Sequence, residues 1–319
     1  ARQLGRFKRV KTTMRVGSGR DETVELGGLT QTQVRALNPE RIETAAFQKI
    51  LLIQPGQPGD FQQRVALTGT GERRQQAVIV QLFSPIREPR DRFDAGCLHR
   101  FVDGGCADIE RATAFDSIAD ANLFVAAYPD GSRGSFELFP SDWNAGTCCG
   151  GAHRDGIDDI AFIKTMIASV SSKLSIDAHR IYVAGFSAGG RMAYHVGCRM
   201  STTIAAIAVA SGSLVDDACA PGVGVPLIAT HGTSDPEVDY GEEAPPPPRS
   251  PTPAAAELPP AVQFWVALGK CTSGKVTPLT AHVAQAAFTA CPGTEIQFYR
   301  IENGTHGWPG GAKIGRAHV

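Results

Sequence analysis

The chain has 319 residues, 42% of them hydrophobic, which is enough for one sizeable core in a single large domain. Its formal net charge is −1, so no overall basic field draws it to nucleic acid or to an anionic membrane surface. No apolar run is long enough to span a bilayer; the run at 204–210 is only strand-sized.

Residues 1–76 carry a basic opening (Arg2, Arg6, Lys8, Arg9, Lys11, Arg15) and no lasting period, and read as a poorly defined N-terminal segment. No aromatic residues alternate with the basic ones, so these are expected to be solvated charges rather than a stacking platform for nucleic acid. Ile50-Leu51-Leu52-Ile53 and residues 77–83 read as short strands. From 77 to 312 strand and helix patterns alternate, which predicts an α/β domain. A helix is expected over 109–121, with Ile109, Ala112, Phe115, Ile118 and Ala119 on one face, then a strand over 123–128 entering the turn Pro129-Asp130-Gly131. The stretch 132–154, with Trp143, Cys148 and Cys149, is too long for a mere connector and is expected to line a cleft. Trp143 has two readings, cleft wall or core anchor. Asp158 and Asp159 suit the start of a helix running to about 174. Strand patterns follow at 181–186, 204–210 and 225–232, with a helix over 189–200. Prolines crowd residues 241–260, among them Pro245-Pro246-Pro247-Pro248, and predict an extended surface insertion. A helix is expected over 261–268 and a last strand over 295–301. The tail at 313–319 looks like a translated sequencing adapter and is set aside from fold reasoning.

Three stretches carry chemistry. Gly185-Phe186-Ser187-Ala188-Gly189 is a G-x-S-x-G pattern between a predicted strand and a predicted helix, the setting in which a serine is held on a tight elbow with its hydroxyl outward. An apolar strand ends in His231-Gly232-Thr233-Ser234-Asp235, which puts a carboxylate at the carboxyl end of a parallel sheet. Asp235 is the candidate acid, with Glu237 and Asp239 as rivals on the same loop. His306, in the flexible loop Asn303-Gly304-Thr305-His306-Gly307, is the candidate base. Serine, acid, histidine is the chain order of α/β-hydrolases and differs from the chymotrypsin and subtilisin orders. His153, a lone loop histidine, receives no role, and neither does His318 in the tail.

Together with Tyr128-Pro129-Asp130-Gly131, Trp143-Asn144, Cys148-Cys149-Gly150 and His306-Gly307-Trp308-Pro309-Gly310, these motifs resemble the polyhydroxybutyrate depolymerase-like and feruloyl esterases, over roughly residues 98–311. That resemblance implies an α/β-hydrolase fold: a mostly parallel, doubly wound sheet with flanking helices and no large lid domain. It also implies a secreted or periplasmic serine esterase, monomeric, with no cofactor and no metal, and with no nucleic-acid or membrane partner. The implied substrates are feruloyl or acetyl esters of plant polysaccharides, or short polyhydroxyalkanoates. The backbone amides of Ala188 and Arg100 would form the oxyanion hole, and His99, Trp143 and Trp308 would stand on the substrate side.

The eight cysteines are even in number and show no metal-ligand spacing. The resemblance implies Cys198–Cys219 and Cys271–Cys291 disulfides, leaving Cys148 or Cys149 to pair with Cys97 or Cys106; the alternative is buried thiols in a cytosolic enzyme.

One stretch departs from the family pattern. Where relatives place an apolar strand before Leu-His-Gly, this chain has Arg92-Phe93-Asp94-Ala95-Gly96-Cys97 and then Leu98-His99-Arg100. Losing one oxyanion donor costs about two to three powers of ten in rate, so Arg100 motivates a second reading, a catalytically impaired hydrolase fold that binds rather than cleaves. A frameshift upstream of about residue 98 would account for the same departure. A thioesterase or peptidase with the same three residues is a third reading.

Overall fold

In the computed structural model, residues 142–309 are described except 173 and 249–251, and ahead of them residues 11–16, 20–25, 49–53, 63–68, 76–83, 118–119, 122 and 124–132; every structural statement below concerns these. The apolar run at 181–186 forms the inner half of strand β7 (Ile176–Phe186), where residue 182 is half-buried and the others are buried. Such runs lack the polar alternation of a half-solvated strand because both faces of the sheet are covered.

Strands β1 (Lys11–Val16) and β2 (Arg20–Glu25) make a separate antiparallel pair. The main sheet has ten strands and includes β3 (Lys49–Ile53), β4 (Gln63–Thr68), β5 (Gln76–Phe83), β6 (Val125–Pro129), β8 (Ala206–Ala210) and β9 (Leu227–Gly232). It is completed by β10 (Lys275–Pro278), β11 (Val283–Cys291) and β12 (Thr294–Ile301), in the order β10-β11-β12-β9-β8-β7-β5-β6-β4-β3. The run from β12 to β6 is parallel throughout, and antiparallel pairs extend it at both edges. The N-terminal strands β3 and β4 thus hydrogen-bond onto the sheet through β6.

The helices are α1 (Gly150–Arg154), α2 (Asp159–Ser171), α3 (Ala188–Arg199) and α4 (Pro260–Leu268). Helix α2 begins where Asp158 caps it, its carboxylate accepting from the Ala161 amide at 2.8 Å. It buries Phe162, Ile163, Met166, Ile167 and Val170 on one face. In α3 nearly every residue from Gly189 to Cys198 is buried, and α4 anchors through Trp265, whose indole N–H donates to the Val225 carbonyl at 2.8 Å.

From β5 the chain steps out to β6, crosses back over β5 to β7, and continues the same way to β8, β9 and β12. With right-handed crossovers this sets α2 and α3 on the same face, and because the connections leaving β5 and β7 run opposite ways, the reversal lies between those two strands. Open α/β sheets bind ligands at the carboxyl ends of strands beside such a reversal. The register aligns those ends, Phe83 with Phe186, Phe186 with Ala210, and Gly232 with Ile301.

Disulfides join Cys198 to Cys219 and Cys271 to Cys291. The third expected pairing is corrected. Cys148 bonds to Cys149, its chain neighbour at a Cα separation of 3.1 Å, so neither sulfur is left for a distant partner. Cys97 and Cys106 lie outside the described residues.

Candidate active site

Ser187 sits between the last residue of β7 and the first of α3, with φ 58° and ψ −125°, a backbone conformation that a residue with a side chain rarely adopts. The surroundings hold it there. Its N–H donates to the Ala210 carbonyl of β8 at 3.1 Å, and its carbonyl accepts from the Arg191 amide at 3.1 Å. A Cβ on Gly185 would run into the Gly189 carbonyl, so the strand and the helix can close this tightly only with glycine at 185. The elbow presents a half-buried serine beside the first amides of α3, Ala188 among them, which have no partner within the helix.

Two neighbouring loops carry the candidate acid and the candidate base. Beyond the aligned ends of β9 and β12 they are joined by backbone bonds: Thr233 N–H to the Ile301 carbonyl and Ser234 N–H to the Gly304 carbonyl, both 3.0 Å. The Asn303 amide donates to Thr233 Oγ1 at 2.8 Å, and Gly232 lies so close to Gly304 that a Cβ would collide with its carbonyl. This pairing brings Asp235 and His306 together. Nδ1 of His306 lies 2.8 Å from Asp235 Oδ2 and 3.0 Å from Oδ1, and both residues are buried.

Burial pushes the Asp235 carboxyl up, but hydrogen bonds from His231 and His306 and from the Val238 and Glu237 amides outweigh it and hold the group well below the usual carboxylate range. The two amides reach Oδ1 at 3.0 and 2.9 Å. His231 Nε2 is 3.4 Å from Oδ2 and 2.9 Å from the Val238 carbonyl. Sequence reasoning placed His231 in the motif without a role; its spacing of four from Asp235 was the available signal. Of the rival acids, Asp239 accepts from the Gly241 amide at 2.7 Å, and Glu237 places Oε2 3.9 Å from His306 Nε2, the nitrogen opposite Asp235.

The His306 ring lies against Phe186, with centroids 4.7 Å apart. Since β7 and β12 are separated by two strands, the loop after β12 must fold back across β9 and β8 to make that contact. Asp235 and His306 therefore touch, and Ser187 is next in the chain to the residue on which the imidazole rests. The Ser187 hydroxyl makes no hydrogen bond to His306 here, and Nε2 of His306 is buried without a hydrogen-bond partner.

The remaining sequence candidates fall variously. Trp143 is fully buried in the core, its ring stacked 6.4 Å from Phe162, which corrects its placement on the substrate side: the indole is packed under the loop. Trp308 is half-buried, two residues beyond His306. His99 and Arg100 lie outside the described residues. His153 is exposed, with Nδ1 3.2 Å from Asn144 Oδ1.

One cluster had no signal in the sequence. Arg191, one helical turn past Ser187, is clamped by both Glu242 carboxylate oxygens at 2.6 and 2.7 Å, and its Nε donates to Ser213 Oγ at 3.2 Å. Its Nη1 stands 3.6 and 3.9 Å from the Cys148 and Cys149 sulfurs, so the cysteine loop, the acid loop and α3 meet beside the elbow. Among the described residues no group of three or more His, Cys, Asp or Glu side chains is placed to hold a metal ion, and no helix is long and apolar enough to cross a membrane.

Comparison with solved structures gives an acetyl xylan esterase from Aspergillus awamori, 11% identical, with a TM-score of 0.55 over 82% of this chain and 94% of that one. The chain has the α/β-hydrolase fold. Residues 153–245 match the family described as Phospholipase/Carboxylesterase, a stretch containing Ser187 and Asp235. Among curated proteins it is 35% identical over 121 residues to feruloyl esterase B of Piromyces equi, covering 36% of this chain and 21% of that one. Similarity to a bifunctional acetylxylan esterase/xylanase of Neocallimastix patriciarum is 31% over 128 residues, 40% of this chain and 17% of the relative. Feruloyl esterase D of Neurospora crassa is 32% identical over 106 residues, 33% and 35% of the two chains. The chain thus aligns with only 17–35% of these relatives' lengths.

Proposed function

We propose that the protein is a serine-dependent carboxylic ester hydrolase. Ser187 Oγ attacks the ester carbonyl while His306 Nε2 takes its proton, and Asp235 holds Nδ1–H and stabilises the imidazolium. The tetrahedral oxyanion is received by the Ala188 amide and by the amide at Arg100 or a near neighbour. Collapse expels the alcohol, protonated by His306. Water, deprotonated by the same imidazole, then attacks the acyl-enzyme and releases the acid and Ser187. The observation that carries this reading is the buried Asp235–His306 pair folded back against Phe186, one residue from a serine in an elbow conformation.

The relatives' names support feruloyl and acetyl esters of plant polysaccharides as substrates, and the sequence motifs alone suggest short polyhydroxyalkanoates as a further class. Three disulfides among the described residues support an oxidising compartment, and hence a secreted or periplasmic protein. Ser187→Ala is expected to abolish hydrolysis of p-nitrophenyl acetate and methyl ferulate with an unchanged far-UV circular dichroism spectrum, and wild type should be labelled by a serine-directed phosphonate. Activity of the variant comparable to wild type would show that the nucleophile is another residue.

A further inference from the structure

Glu237 faces the outer nitrogen of the candidate base. Its backbone is fixed to the candidate acid, since its amide donates to Asp235 Oδ1 at 2.9 Å. Its side chain is about half exposed, at 47%, and turns back to place Oε2 3.9 Å from His306 Nε2. That separation is too long for a hydrogen bond, so the carboxylate stands beside the buried Nε2 without becoming its partner.

Ester cleavage gives this position a meaning. The proton on Nε2 goes to the oxygen of the departing alcohol, so that oxygen approaches Nε2 and the rest of the alcohol lies on its outer side. Among the described residues, Glu237 sets a carboxylate on that side, a group that accepts hydrogen bonds and donates none. It is therefore complementary to an alcohol carrying further hydroxyls, indifferent to a plain alkyl alcohol, and repelled by an alcohol carrying its own negative charge. Resting on the esterase reading above, we infer that Glu237 is a specificity-determining residue for the alcohol half of the ester, favouring neutral polyhydroxylated alcohols such as sugars over anionic ones.

The test compares three esters of one acid, so that acyl-side effects cancel: feruloyl arabinose, methyl ferulate and the ferulate ester of glycolate. In Glu237→Gln the arabinose-to-methyl ratio of kcat/KM should fall about threefold to tenfold, less than a buried hydrogen bond to a charged group would give, because the side chain is half in water. The glycolate-to-methyl ratio should rise by about threefold. Glu237→Asp keeps the charge but shortens its reach, so it should lower the arabinose ratio and leave the glycolate ratio near wild type. Equal melting temperatures establish that the variants are folded, and the ratios do not depend on a common change in rate. An arabinose ratio unchanged in Glu237→Gln, or a glycolate ratio that does not rise, overturns the inference. If wild type cleaves none of the three and is not labelled by the phosphonate, the esterase reading has failed and the inference falls with it; labelling and cleavage with unchanged ratios refute Glu237 alone.

Discussion

Asp235→Asn isolates the role of a single charge. In the native site the Glu237 and Val238 amides both point at Oδ1, at 2.9 and 3.0 Å, while Oδ2 faces His306 Nδ1 at 2.8 Å and His231 Nε2 at 3.4 Å. An asparagine keeps its carbonyl oxygen where two N–H groups donate to it, so its NH2 falls at the Oδ2 position, opposite His306. That nitrogen donates and cannot accept, so the shorter of the two contacts to Nδ1, 2.8 Å against 3.0 Å to Oδ1, favours the tautomer with a bare Nδ1 and a proton on Nε2. An Nε2 that already carries a proton cannot take one from Ser187. The same change of tautomer in serine hydrolases of this type costs about ten-thousandfold in kcat, or about 5 kcal/mol of transition-state stabilisation. Because the turn at 235–238 retains its acceptor, the variant should fold. The assay is hydrolysis of p-nitrophenyl acetate and methyl ferulate, with circular dichroism as the folding control. A folded variant within about tenfold of wild type would refute the reasoning, since the base would then be oriented by another group, Glu237 being the nearest.

Other outcomes follow from the same coordinates. Trp143→Ala should cost about 3–5 kcal/mol in guanidinium unfolding, as expected for a fully buried indole. A rise in KM with stability intact would instead return Trp143 to the cleft. Gly185→Ala should destabilise the fold by about 1–3 kcal/mol and reduce hydrolysis, because its Cβ meets the Gly189 carbonyl at the elbow. Wild-type activity and stability would show that the elbow is looser than described. Burial raises the Asp216 carboxyl too, but His195 and Arg199 outweigh it, so Asp216 and Asp235 both have folded pKa values below their unfolded ones. Such groups contribute stability that is fully present above the unfolded carboxyl value of ~3.9 and is lost as pH falls through the folded values. The unfolding free energy should therefore drop below about pH 4, and Asp216→Asn should flatten that limb; an unchanged slope would count against the buried Asp216 cluster.

What was legible in the chain was what local chemistry determines. Gly185 and Gly189 flank a serine that ends an apolar run, and the close approach requiring glycine at 185 is the one that the motif implies. The order of Ser187, Asp235 and His306 was readable because each follows a strand pattern and so must emerge at the same end of a parallel sheet. Trp143 was not decidable, because an indole in a loop between cysteines has the same local pattern whether it faces a cleft or the core. Cys148 and Cys149 were paired outward by counting, and counting is blind to a bond between neighbours. Strand β10 has only four residues, mostly exposed and ending in Pro278, so it shows neither alternation nor a buried run; its pairing to β11 is what makes it a strand.

The site depends on an arrangement that no local pattern contains. Asp235 and His306 lie 71 positions apart and meet because β9 and β12 are parallel neighbours whose aligned ends, Gly232 and Ile301, start two loops that hydrogen-bond to each other. Ser187 comes from a strand two places further along the sheet, and it is reached only because the loop after β12 folds back until His306 rests on Phe186. Sheet register thus sets the Asp235–His306 pair, whereas a loop conformation sets the distance from His306 to Ser187. The first is fixed by many backbone bonds. The second depends on the Phe186 contact and the bonds between the loops, which makes closure of the Ser187–His306 gap the step most open to adjustment when an ester binds.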